Sequence, residues 1–460
     1  MKDILWKPIS PEKTHMSRLI QIVNESYSQN IDSYDQLHQW SIDNIHEFWG
    51  EIWDYTKIVH SSNYNKVVDD VTKMPGAKWF PGARLNFAEN LLRYKDSRPA
   101  IHFKGEGKPI ITLSYHEIYS EVEKLSHALR SLGVKKGDRV AGFIPNIPQA
   151  IIAMLATTSI GAVWSSSSPD FGIKGVLDRF SQIKPKIIFA ADGYYYNGKR
   201  FNSLDKLNHI VKNLPTVQKV VIIEYLNENP ELSNKDSTVL YQEFIDCDPE
   251  PLYFEQLPFD HPLYIMYSSG TTGLPKSIVH SAGGTLIQHL KELYFHCDMD
   301  REDCIFYFTT CGWMMWNWLV SSLSIGSTIV LFDGSPFYPN SKEMWKLVER
   351  LDISIFGTSA KYIDACRESG MIPSKFADLS KLRLILSTGS PLIEENYDYI
   401  YQNVKKDVLL GSISGGTDII SCFALSNPML PVTRGELQCK GLGMNVHSFN
   451  DKGESLIDEK

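Results

Sequence analysis

A run of ten residues combines the hydroxyl groups, glycines and lysine that phosphate binding requires. It reads Tyr267-Ser-Ser-Gly-Thr-Thr-Gly-Leu-Pro-Lys276 and follows an apolar stretch that is typical of a strand. Gly270 and Gly273 let the backbone approach an anion closely, and Lys276 supplies a compact positive charge. The hydroxyl donors are Ser268, Ser269, Thr271 and Thr272. The run is therefore predicted to be a phosphate-binding loop.

This run has two other interpretations, a Walker loop and a plain surface loop. Counted from Gly270, the letters fit the Walker pattern G-x-x-x-x-G-K-S except that Pro275 stands where the second glycine belongs. Because proline has no N–H and a fixed φ, a Walker-type cradle of backbone amides is not expected to close here. The other alternative is a plain surface loop, since Ser, Thr and Gly commonly cluster between regular elements.

Composition narrows the class of protein. With 460 residues and 43% hydrophobic residues, the chain is predicted to fold into two or three packed subdomains. A formal net charge of −8, without a block rich in Lys and Arg, argues against nucleic-acid binding. Seven cysteines without a C-x-x-C pair argue against a disulfide framework and a zinc site. No apolar leader or membrane-spanning run is apparent, so we expect a cytosolic protein.

The order of predicted elements indicates an α/β fold. Short β-rich runs alternate with helical stretches from about residue 100, as expected of parallel sheets flanked by helices. The runs are 139–144, 186–189, 219–224, 328–332, 353–356 and 382–386. Residues 114–132 should form a helix, with Ser114 and Glu117 in a capping box and Gly133 as its stop. The polar stretch 227–238 is predicted to be a surface insertion between two halves of the sheet system.

Residues 1–100 are predicted to form a helical segment that packs on a catalytic body of residues 101–460. Apolar residues recur at helical spacing over 42–53, behind Ser41 as the predicted N-cap. Trp40, Trp49 and Trp53 are expected to dock this segment onto the body rather than to bind a ligand. Residues 80–92 are interpreted as a connector.

A second candidate segment lies near the end of the chain. It reads Gly411-Ser-Ile-Ser-Gly-Gly-Thr-Asp418 and follows the predicted strand 408–410. Thr417 and Asp418 should therefore lie at the carboxyl end of a strand, where α/β sheets bind ligands. One carboxylate plus phosphate oxygens is the usual arrangement around Mg²⁺, so Asp418 is the candidate metal ligand. Taken alone, the same letters are equally compatible with an ordinary turn.

Two further segments could complete a nucleotide and substrate site. Leu384-Ile-Leu-Ser-Thr-Gly-Ser-Pro391 places Gly389, Ser390 and Pro391 after a strand, where an exposed backbone edge could face a purine ring. Thr309-Thr-Cys-Gly-Trp-Met-Met-Trp-Asn-Trp318 is a cluster of aromatic residues and methionines between a strand and a helix. Core packing is the ordinary role of such a cluster.

The loop S-S-G-T-T-G-x-P-K resembles the signature loop of the adenylate-forming enzymes, which include acyl-CoA synthetases, luciferases and adenylation domains. Several longer segments look like one family within them, the acetoacetyl-CoA synthetases. These segments include F-W-x-E-x-W near Trp49, S-P-D-F-G at 168–172, V-L-D-R-F-S-Q-I at 176–183 and G-W-M-M-W-N-W. The resemblance covers nearly the whole chain. It implies a large AMP-binding domain with two parallel, helix-flanked sheets and a small β subdomain.

The resemblance also implies an activity, its substrates and its site. Acetoacetate would react with ATP, in the presence of Mg²⁺, to give acetoacetyl-adenylate, and coenzyme A would then displace AMP, which would supply lipid synthesis. The implied catalytic residues are Lys276, Thr272, Thr417 and Asp418, with Asp418 on the metal. The implied ATP-binding residues are Ser268, Ser269, Gly270, Thr271, Thr272, Gly273, Lys276, Gly389, Ser390, Pro391, Ser414, Gly415, Gly416 and Thr417. The implied acyl pocket comprises Gly312, Trp313, Met314, Met315, Thr388 and Gly415, and the candidate contacts to coenzyme A are Arg179, Lys199 and Arg200.

The chain departs from the pattern of related families at two positions. Ser390 stands where acyl-CoA synthetases often have Glu, which affects the expected contacts to the base. Gly415 stands where the W-W-Q-T-E segment of acetyl-CoA synthetases has the tryptophan that shortens their acyl pocket. A deeper pocket and poor binding of acetate are therefore expected. Asn317 and Thr388 are the candidates for recognising the 3-keto group, because they are polar residues near an otherwise apolar pocket.

The resemblance also raises an expectation about the end of the chain. Family members continue past the position of Lys460 through a Thr-Gly-Asp ribose clamp, a hinge and a lid domain with a catalytic lysine. We therefore expect weak or absent turnover from these 460 residues. Three alternatives stay open: a nucleotide-binding fragment without turnover, a synthetase for another short-chain acid such as butyrate or propionate, and a P-loop NTPase that releases ADP.

Overall fold

The computed structural model describes residues 3–227, 230–232, 237–268 and 273–456. Its α-helices are α1 (His15–Tyr27), α2 (Tyr34–Asp43), α3 (Ile45–Tyr55), α4 (Phe87–Leu91), α5 (Tyr115–Ser131), α6 (Pro148–Ser159), α7 (Ile173–Ile183), α8 (Leu204–Lys212), α9 (Tyr241–Phe244), α10 (Ala282–Lys291), α11 (Met314–Ser321), α12 (Glu343–Arg350), α13 (Ala360–Glu368) and α14 (Glu394–Tyr399). π-Helical turns extend α10 over Glu292–His296 and α14 over Ile400–Val404.

The strands are mostly short, which is usual for parallel sheets in α/β folds. They are β1 (Ile4–Trp6), β2 (His60–Ser62), β3 (Arg84–Leu85), β4 (Pro99–Gly105), β5 (Ile110–Ser114), β6 (Arg139–Phe143), β7 (Val163–Ser167), β8 (Ile187–Ala191), β9 (Gly193–Tyr196), β10 (Lys199–Asn202), β11 (Lys219–Ile223), β12 (Thr238–Leu240), β13 (Leu257–Pro258), β14 (Pro262–Ser268), β15 (Lys276–Ser281), β16 (Cys304–Tyr307), β17 (Thr328–Asp333), β18 (Ile355–Ser359), β19 (Leu384–Thr388), β20 (Leu409–Ser412), β21 (Ser414–Gly416), β22 (Ser421–Leu425), β23 (Val432–Thr433), β24 (Cys439–Lys440), β25 (Ser448–Phe449) and β26 (Ser455–Leu456).

Two seven-stranded sheets form the body, as the α/β pattern predicted. The first sheet has the order β12-β11-β8-β6-β7-β14-β15, and the second has the order β20-β19-β18-β16-β17-β4-β5. Each sheet is parallel except for one antiparallel edge strand, β15 in the first and β5 in the second. A small antiparallel sheet, β21-β22-β24, follows the second sheet in the chain. The expected α/β fold with a small β subdomain is therefore confirmed.

Most predicted elements are present with shifted ends. The six predicted strands correspond to β6, β8, β11, β17, β18 and β19, with ends that differ by at most three residues. The predicted helix is α5, and Ser114 and Glu117 form its capping box. The end of the polar stretch 227–238 is not a boundary between the two sheets, because β12 is an edge strand of the first sheet. Residues 228–229 and 233–236 of that stretch lie outside the described residues.

The prediction that Ser41 caps a helix is wrong. The segment forms two helices, α2 behind Ser33 and α3 behind Asn44, and Ser41 lies inside α2. Its buried hydroxyl donates to the His38 carbonyl oxygen at 2.7 Å and accepts from the Gly443 amide at 2.9 Å. A serine inside a helix can satisfy its hydroxyl on the preceding turn, so capping residues alone do not mark a helix start.

Aromatic side chains of the N-terminal helices pack within their own segment and against residues beyond it. Trp53 is buried, stacks on Phe80 with ring centroids 4.9 Å apart, and has its ring centroid 6.4 Å from that of Phe259. Trp40 contacts Phe48 of the same segment edge-on, with centroids 6.5 Å apart. In addition, β1 pairs with β23, so residues at both ends of the described chain meet in one small sheet.

The carboxyl ends of the two sheets face each other across a crevice. Asn146, which follows β6, donates to the Thr309 carbonyl oxygen beyond β16 at 3.3 Å. The Ser166 hydroxyl of β7 donates to the Cys311 carbonyl oxygen at 2.6 Å. Glu106, which follows β4, accepts from the Asn197 amide beyond β9 at 3.0 Å. Parallel sheets bind ligands at their carboxyl ends, so this crevice is the expected place for a site.

Two features of the whole chain bear on its environment. Among the helices that the structure describes, none combines the length and apolarity needed to cross a lipid bilayer. All seven cysteines carry free thiols, and five of them are buried.

Asn86 provides a test of the described packing. Its buried amide nitrogen donates to the carbonyl oxygens of Thr158, Ser159 and Glu255 at 2.9–3.1 Å, and its side-chain oxygen caps α4. Asn86→Asp would place an acceptor-only carboxylate against three carbonyl oxygens and should destabilise the fold by about 3 kcal/mol. Thermal melting measures the change. The control is Asn63→Asp, since a carboxylate can keep the 2.8 Å bond from the Tyr64 amide to exposed Asn63. Equal melting of the two variants would contradict the assignment.

Candidate active site

The predicted phosphate loop joins the antiparallel strands β14 and β15 at one edge of the first sheet. Ser268 and Lys276 face each other across this hairpin, and Lys276 is exposed. Gln182 of α7 holds the end of the loop by donating to the Pro275 carbonyl oxygen and accepting from the Ser277 hydroxyl, both at 3.0 Å. Gly273 has a φ of +113°. Ser269, Gly270, Thr271 and Thr272 lie outside the described residues.

The predicted purine segment follows β19 in the second sheet. β19 and β20 are parallel neighbours, so Gly389 and Ser414 emerge at the same carboxyl edge. The Thr388 hydroxyl donates to the Ile413 carbonyl oxygen at 2.8 Å and ties the two segments together. Gly389, at a φ of +91°, turns the chain so that Ser390 and Pro391 are exposed. An open backbone edge therefore exists where a purine ring was predicted.

The predicted acyl segment meets this purine segment. Trp313 is the half-buried N-cap of α11, and its Cζ2 atom lies 3.9 Å from the position that a Cβ atom on Gly389 would occupy. Met314 and Met315 are buried behind it. A Cβ atom on exposed Gly312 would lie 3.6 Å from the Ser168 amide, across the crevice in the first sheet. The structure thus places the Trp313 ring beside Gly389.

The Thr417–Asp418 turn lies beside β15. Burial lowers the pKa of His280 on β15, while the Thr417 carbonyl and the Asp418 carboxylate act in the opposite direction, so these groups are neighbours. Asp418 itself is exposed. Within the described ranges, no three His, Cys, Asp or Glu side chains converge so that they could hold a metal ion. The donor set fits Mg²⁺ as one carboxylate that shares the ion with phosphate oxygens.

Gly415 has a structural role that the letter pattern does not reveal. It lies opposite Cys422 in the antiparallel pair of β21 and β22. A Cβ atom at position 415 would lie 2.1 Å from the Ser421 carbonyl oxygen. No L side chain fits this backbone without displacing β22. The pairing of β21 with β22 is thus a sufficient reason for glycine at position 415, and the deeper acyl pocket stays a prediction.

The candidate contacts to coenzyme A do not form one cluster. Lys199 and Arg200 are exposed on the β9–β10 hairpin, and the Arg200 guanidinium lies 5.6 Å from the centroid of the Tyr195 ring. Arg179 lies on α7 with its guanidinium 4.5 Å from the Phe171 ring centroid and 5.6 Å from that of Tyr267. The hairpin and Arg179 thus have separate neighbours, Tyr195 for the first and the end of β14 for the second.

Of the two candidates for recognition of a keto group, Thr388 already uses its hydroxyl proton. Asn317 is buried in α11, with its side-chain amide next to the Tyr264 hydroxyl. The Thr388 hydroxyl uses its proton on the Ile413 carbonyl. While it keeps that bond, Thr388 cannot also donate a hydrogen bond to a keto oxygen.

Several residues that organise the site carried no recognisable motif. They are the buried side chains Glu106, His280, His289 and Glu292. Two features of the sequence could have pointed to these residues. One is the pattern H-S-A-G-G, which begins at His280 shortly after the phosphate loop, and the other is the charged Lys291-Glu292 pair within an apolar run. A charged pair of this kind is ordinarily interpreted as a solvated helix face.

Two facing parallel sheets, with a Gly/Ser/Thr hairpin on one carboxyl edge and the Gly-x-Pro and Thr-Asp segments on the other, define an adenylate-forming enzyme. The family model of the AMP-binding enzymes matches residues 87–430, and the model of the acetyl-coenzyme A synthetase N-terminus matches residues 34–91.

Named relatives narrow this class. The chain is 49% identical to the acetoacetyl-CoA synthetase of Gallus gallus over 99% of its own length and 70% of that protein. It is similar to the structure of acetoacetyl-CoA synthetase from Streptomyces lividans, with a TM-score of 0.94, 42% identity and coverage of 99% and 71%. It is also 41% identical to the malonamoyl-CoA synthetase of Penicillium aethiopicum, over 99% of this chain and 67% of that protein. The chain belongs to the acetoacetyl-CoA synthetase family of AMP-forming acid–CoA ligases.

The neighbouring glycines 415 and 416 provide a matched test of the site. Gly415→Ala should lower the melting temperature and weaken AMP binding, because its Cβ overlaps β22 at a cost of about 1–3 kcal/mol. In Gly416→Ala the nearest atom to the new Cβ is the Asp418 amide nitrogen at 3.9 Å, so this variant should melt as the parent protein does. Thermal melting with and without AMP measures both effects. Equal melting of the two variants would show that residue 415 has room for a side chain.

Proposed function

We propose that this protein joins acetoacetate to coenzyme A and converts ATP to AMP and diphosphate. The observation that carries the proposal is the proximity of the Trp313 ring to Gly389, which would set the acyl wall beside the nucleotide edge. Two named relatives support the acid class, because acetoacetyl and malonamoyl groups both carry a carbonyl on C3. As part of the proposal, the reaction takes place in the cytosol and supplies fatty acid and sterol synthesis. The seven free thiols support that compartment.

In the first step, a carboxylate oxygen of the acid attacks the α-phosphorus of ATP, and diphosphate leaves. Lys276 would offset the negative charge of phosphate oxygens, and the hydroxyl groups of Thr271 and Thr272 would donate hydrogen bonds to them. Amides near Gly416 and Thr417 would stabilise charge on the pentavalent transition state. Mg²⁺ would be held by Asp418 and the phosphates and would offset their negative charge. The acid is itself the nucleophile, so the step needs no covalent enzyme intermediate.

In the second step, the thiolate of coenzyme A attacks the carbonyl carbon of the acyl-adenylate, and AMP leaves with the bonding electrons. Lys199 and Arg200 are the better-placed candidates for the phosphates of coenzyme A, because their hairpin follows the carboxyl end of β8. Glu106 fixes the turn of that hairpin by accepting from the Asn197 and Gly198 amides. Arg179 remains a separate candidate beside Tyr267.

The acyl pocket should favour a four-carbon acid over acetate. Trp313, Met314 and Met315 would provide one wall, with Gly312, Thr388 and Gly415 around it. A pocket shaped for a longer acid loses about 1–3 kcal/mol for each methylene that its ligand lacks. A saturated acid such as butyrate or propionate is the main alternative substrate. Nucleotide binding without turnover and ATP hydrolysis to ADP are the alternative functions.

The decisive assay is acid-dependent product formation by the protein that carries this sequence. ATP, Mg²⁺ and coenzyme A are supplied with acetoacetate, malonamate, butyrate or acetate, and AMP, ADP and diphosphate are quantified. We expect AMP and diphosphate in equal amounts, fastest with acetoacetate and slowest with acetate. Fastest turnover with butyrate would reassign the substrate, and ADP would indicate a phosphohydrolase. AMP binding without product from any acid would indicate a binding protein.

Asp418→Asn tests the metal assignment. The amide keeps the size of the side chain and removes its charge, so kcat for diphosphate release should fall about 100-fold at saturating ATP. Higher Mg²⁺ should restore part of the rate, because weaker metal binding can be offset by mass action. Asp451→Asn, the same change in another exposed turn, is the control. A wild-type rate and Mg²⁺ dependence in Asp418→Asn would remove Asp418 from the metal site.

A further inference from the structure

A fully buried carboxylate lies beneath the Gly415–Asp418 segment. Glu292 begins the π-helical turn that extends α10, and π-helical turns are frequent at functional sites. Its Oε1 atom accepts from the Ser421 hydroxyl at 2.5 Å, the Cys422 amide at 3.1 Å and the Gln288 side chain at 3.1 Å. Its Oε2 atom accepts from the Trp318 indole N–H at 2.8 Å. Each of these groups can donate, so both carboxyl oxygens have hydrogen-bond partners despite their burial.

The partners of Glu292 belong to the two halves of the candidate site. Ser421 and Cys422 lie in β22, directly opposite Gly416 and Gly415. Trp318 lies in α11, the helix whose N-cap is Trp313. One side chain therefore bonds both the strand pair of the nucleotide segment and the helix of the acyl wall.

His289, three residues earlier on the same face of α10, makes a second bridge between the same elements. Its Nε2 atom lies 2.7 Å from the Ile420 carbonyl oxygen, and its Nδ1 atom lies 2.8 Å from the Ser321 hydroxyl of α11. Because a carbonyl only accepts, Nε2 carries the proton and Nδ1 accepts from Ser321. Burial lowers the pKa of His289 to about 4, which keeps the ring neutral.

The turn that His289 holds is strained. Ile420 has a φ of +49°, a region that β-branched residues rarely enter. Such a conformation persists only where its surroundings enforce it, and it is typical of functional sites. The turn contains Asp418, so the bond to the Ile420 carbonyl helps to fix the direction of the proposed metal ligand.

Stability alone does not account for the cluster. Lys291 and Glu292 are both fully buried, with their charged atoms 3.8 Å apart. Moving such a pair out of water usually costs more free energy than the attraction between the two charges provides. Replacing the pair by apolar residues of similar volume often leaves a protein at least as stable. A role in geometry is the remaining explanation.

We propose that Glu292 and His289 are positioning residues that hold the acyl wall of α11 in register with the nucleotide segment of β21–β22. They do not touch the substrates. They set the distance between Trp313 and the Gly415–Asp418 segment, and with it the discrimination between acyl groups. The inference rests on the proposed function, because that proposal assigns the acyl and nucleotide pockets that the cluster connects.

The test compares ligands that fill one pocket or both. AMP fills the nucleotide pocket alone, and acyl-sulfamoyl-adenosines with an acetoacetyl or a butyryl group also fill the acyl pocket. Calorimetric titration gives the ratio of their Kd values to that of AMP, a ratio that partial unfolding does not change. In Glu292→Gln an amide N–H faces groups that themselves donate hydrogen bonds, which should disturb the geometry of the cluster. We therefore expect the Kd values of the acyl-adenylate mimics to rise about tenfold more than the Kd of AMP.

His296→Gln is the matched control. This buried histidine lies one turn further along the same helix, with its ring nitrogens engaged by the Ser426 carbonyl and the Leu442 amide. His296→Gln should lower the melting temperature and leave the ratio of Kd values unchanged. Trp318→Phe removes the indole N–H at the acyl end together with part of the buried ring. It should shift the ratio in the same direction as Glu292→Gln, and it provides the test if Glu292→Gln does not fold.

The outcomes separate the two proposals. If the parent protein binds AMP but gains no affinity from either acyl group, the proposed function fails. If the parent protein prefers the acetoacetyl mimic, and both Glu292→Gln and Trp318→Phe keep its Kd ratios, the function stands and the positioning role is wrong. A shift in the ratio for His296→Gln equal to that for Glu292→Gln would also overturn the inference.

Discussion

Polar backbone groups at the ends of parallel strands are the constraint on which this structure depends. The two large sheets present their carboxyl ends to each other, and buried amides and carbonyls there need partners. An apolar interface could not supply them. Asn146 and Ser166 therefore bond backbone carbonyls across the crevice, and Glu106 accepts from two amides of the opposite hairpin. The crevice exists because polar side chains, and not packing alone, join its walls.

Buried charge is placed at both ends of this crevice. At one end Glu106 lies near Asp333, whose pKa burial raises to about 7, and near Lys108, whose ammonium lies 4.1 Å from the Tyr225 ring centroid. At the other end are Lys291 and Glu292. Charged groups resist displacement because any movement leaves a buried donor or acceptor unpaired. We therefore expect both ends of the crevice to be stiff.

Sequence reasoning was reliable where one local signal decides the structure. Continuous apolar runs located the six strands to within three residues at each end, and the Ser114–Glu117 capping box marked a helix start. Ser41 misled because the same hydroxyl can bond its own helix. The candidate segments were found because glycines, hydroxyls and Asp418 stand close together in the chain. Glu292 and His289 were missed because these partners are 26 to 131 residues away and give no local pattern.

The order of elements along the chain explains how distant segments can act together. β15, α10 and its π-helical turn form one uninterrupted run from Lys276 to His296. Ser281 caps α10 by accepting from the Gly284 amide at 3.3 Å, so the strand passes into the helix without a flexible linker. The run starts at the phosphate loop, passes the Thr417–Asp418 turn at His280, and ends in bonds to both α11 and β22. The run therefore links the strand that begins at Lys276 to α11 and β22 through consecutive, hydrogen-bonded elements.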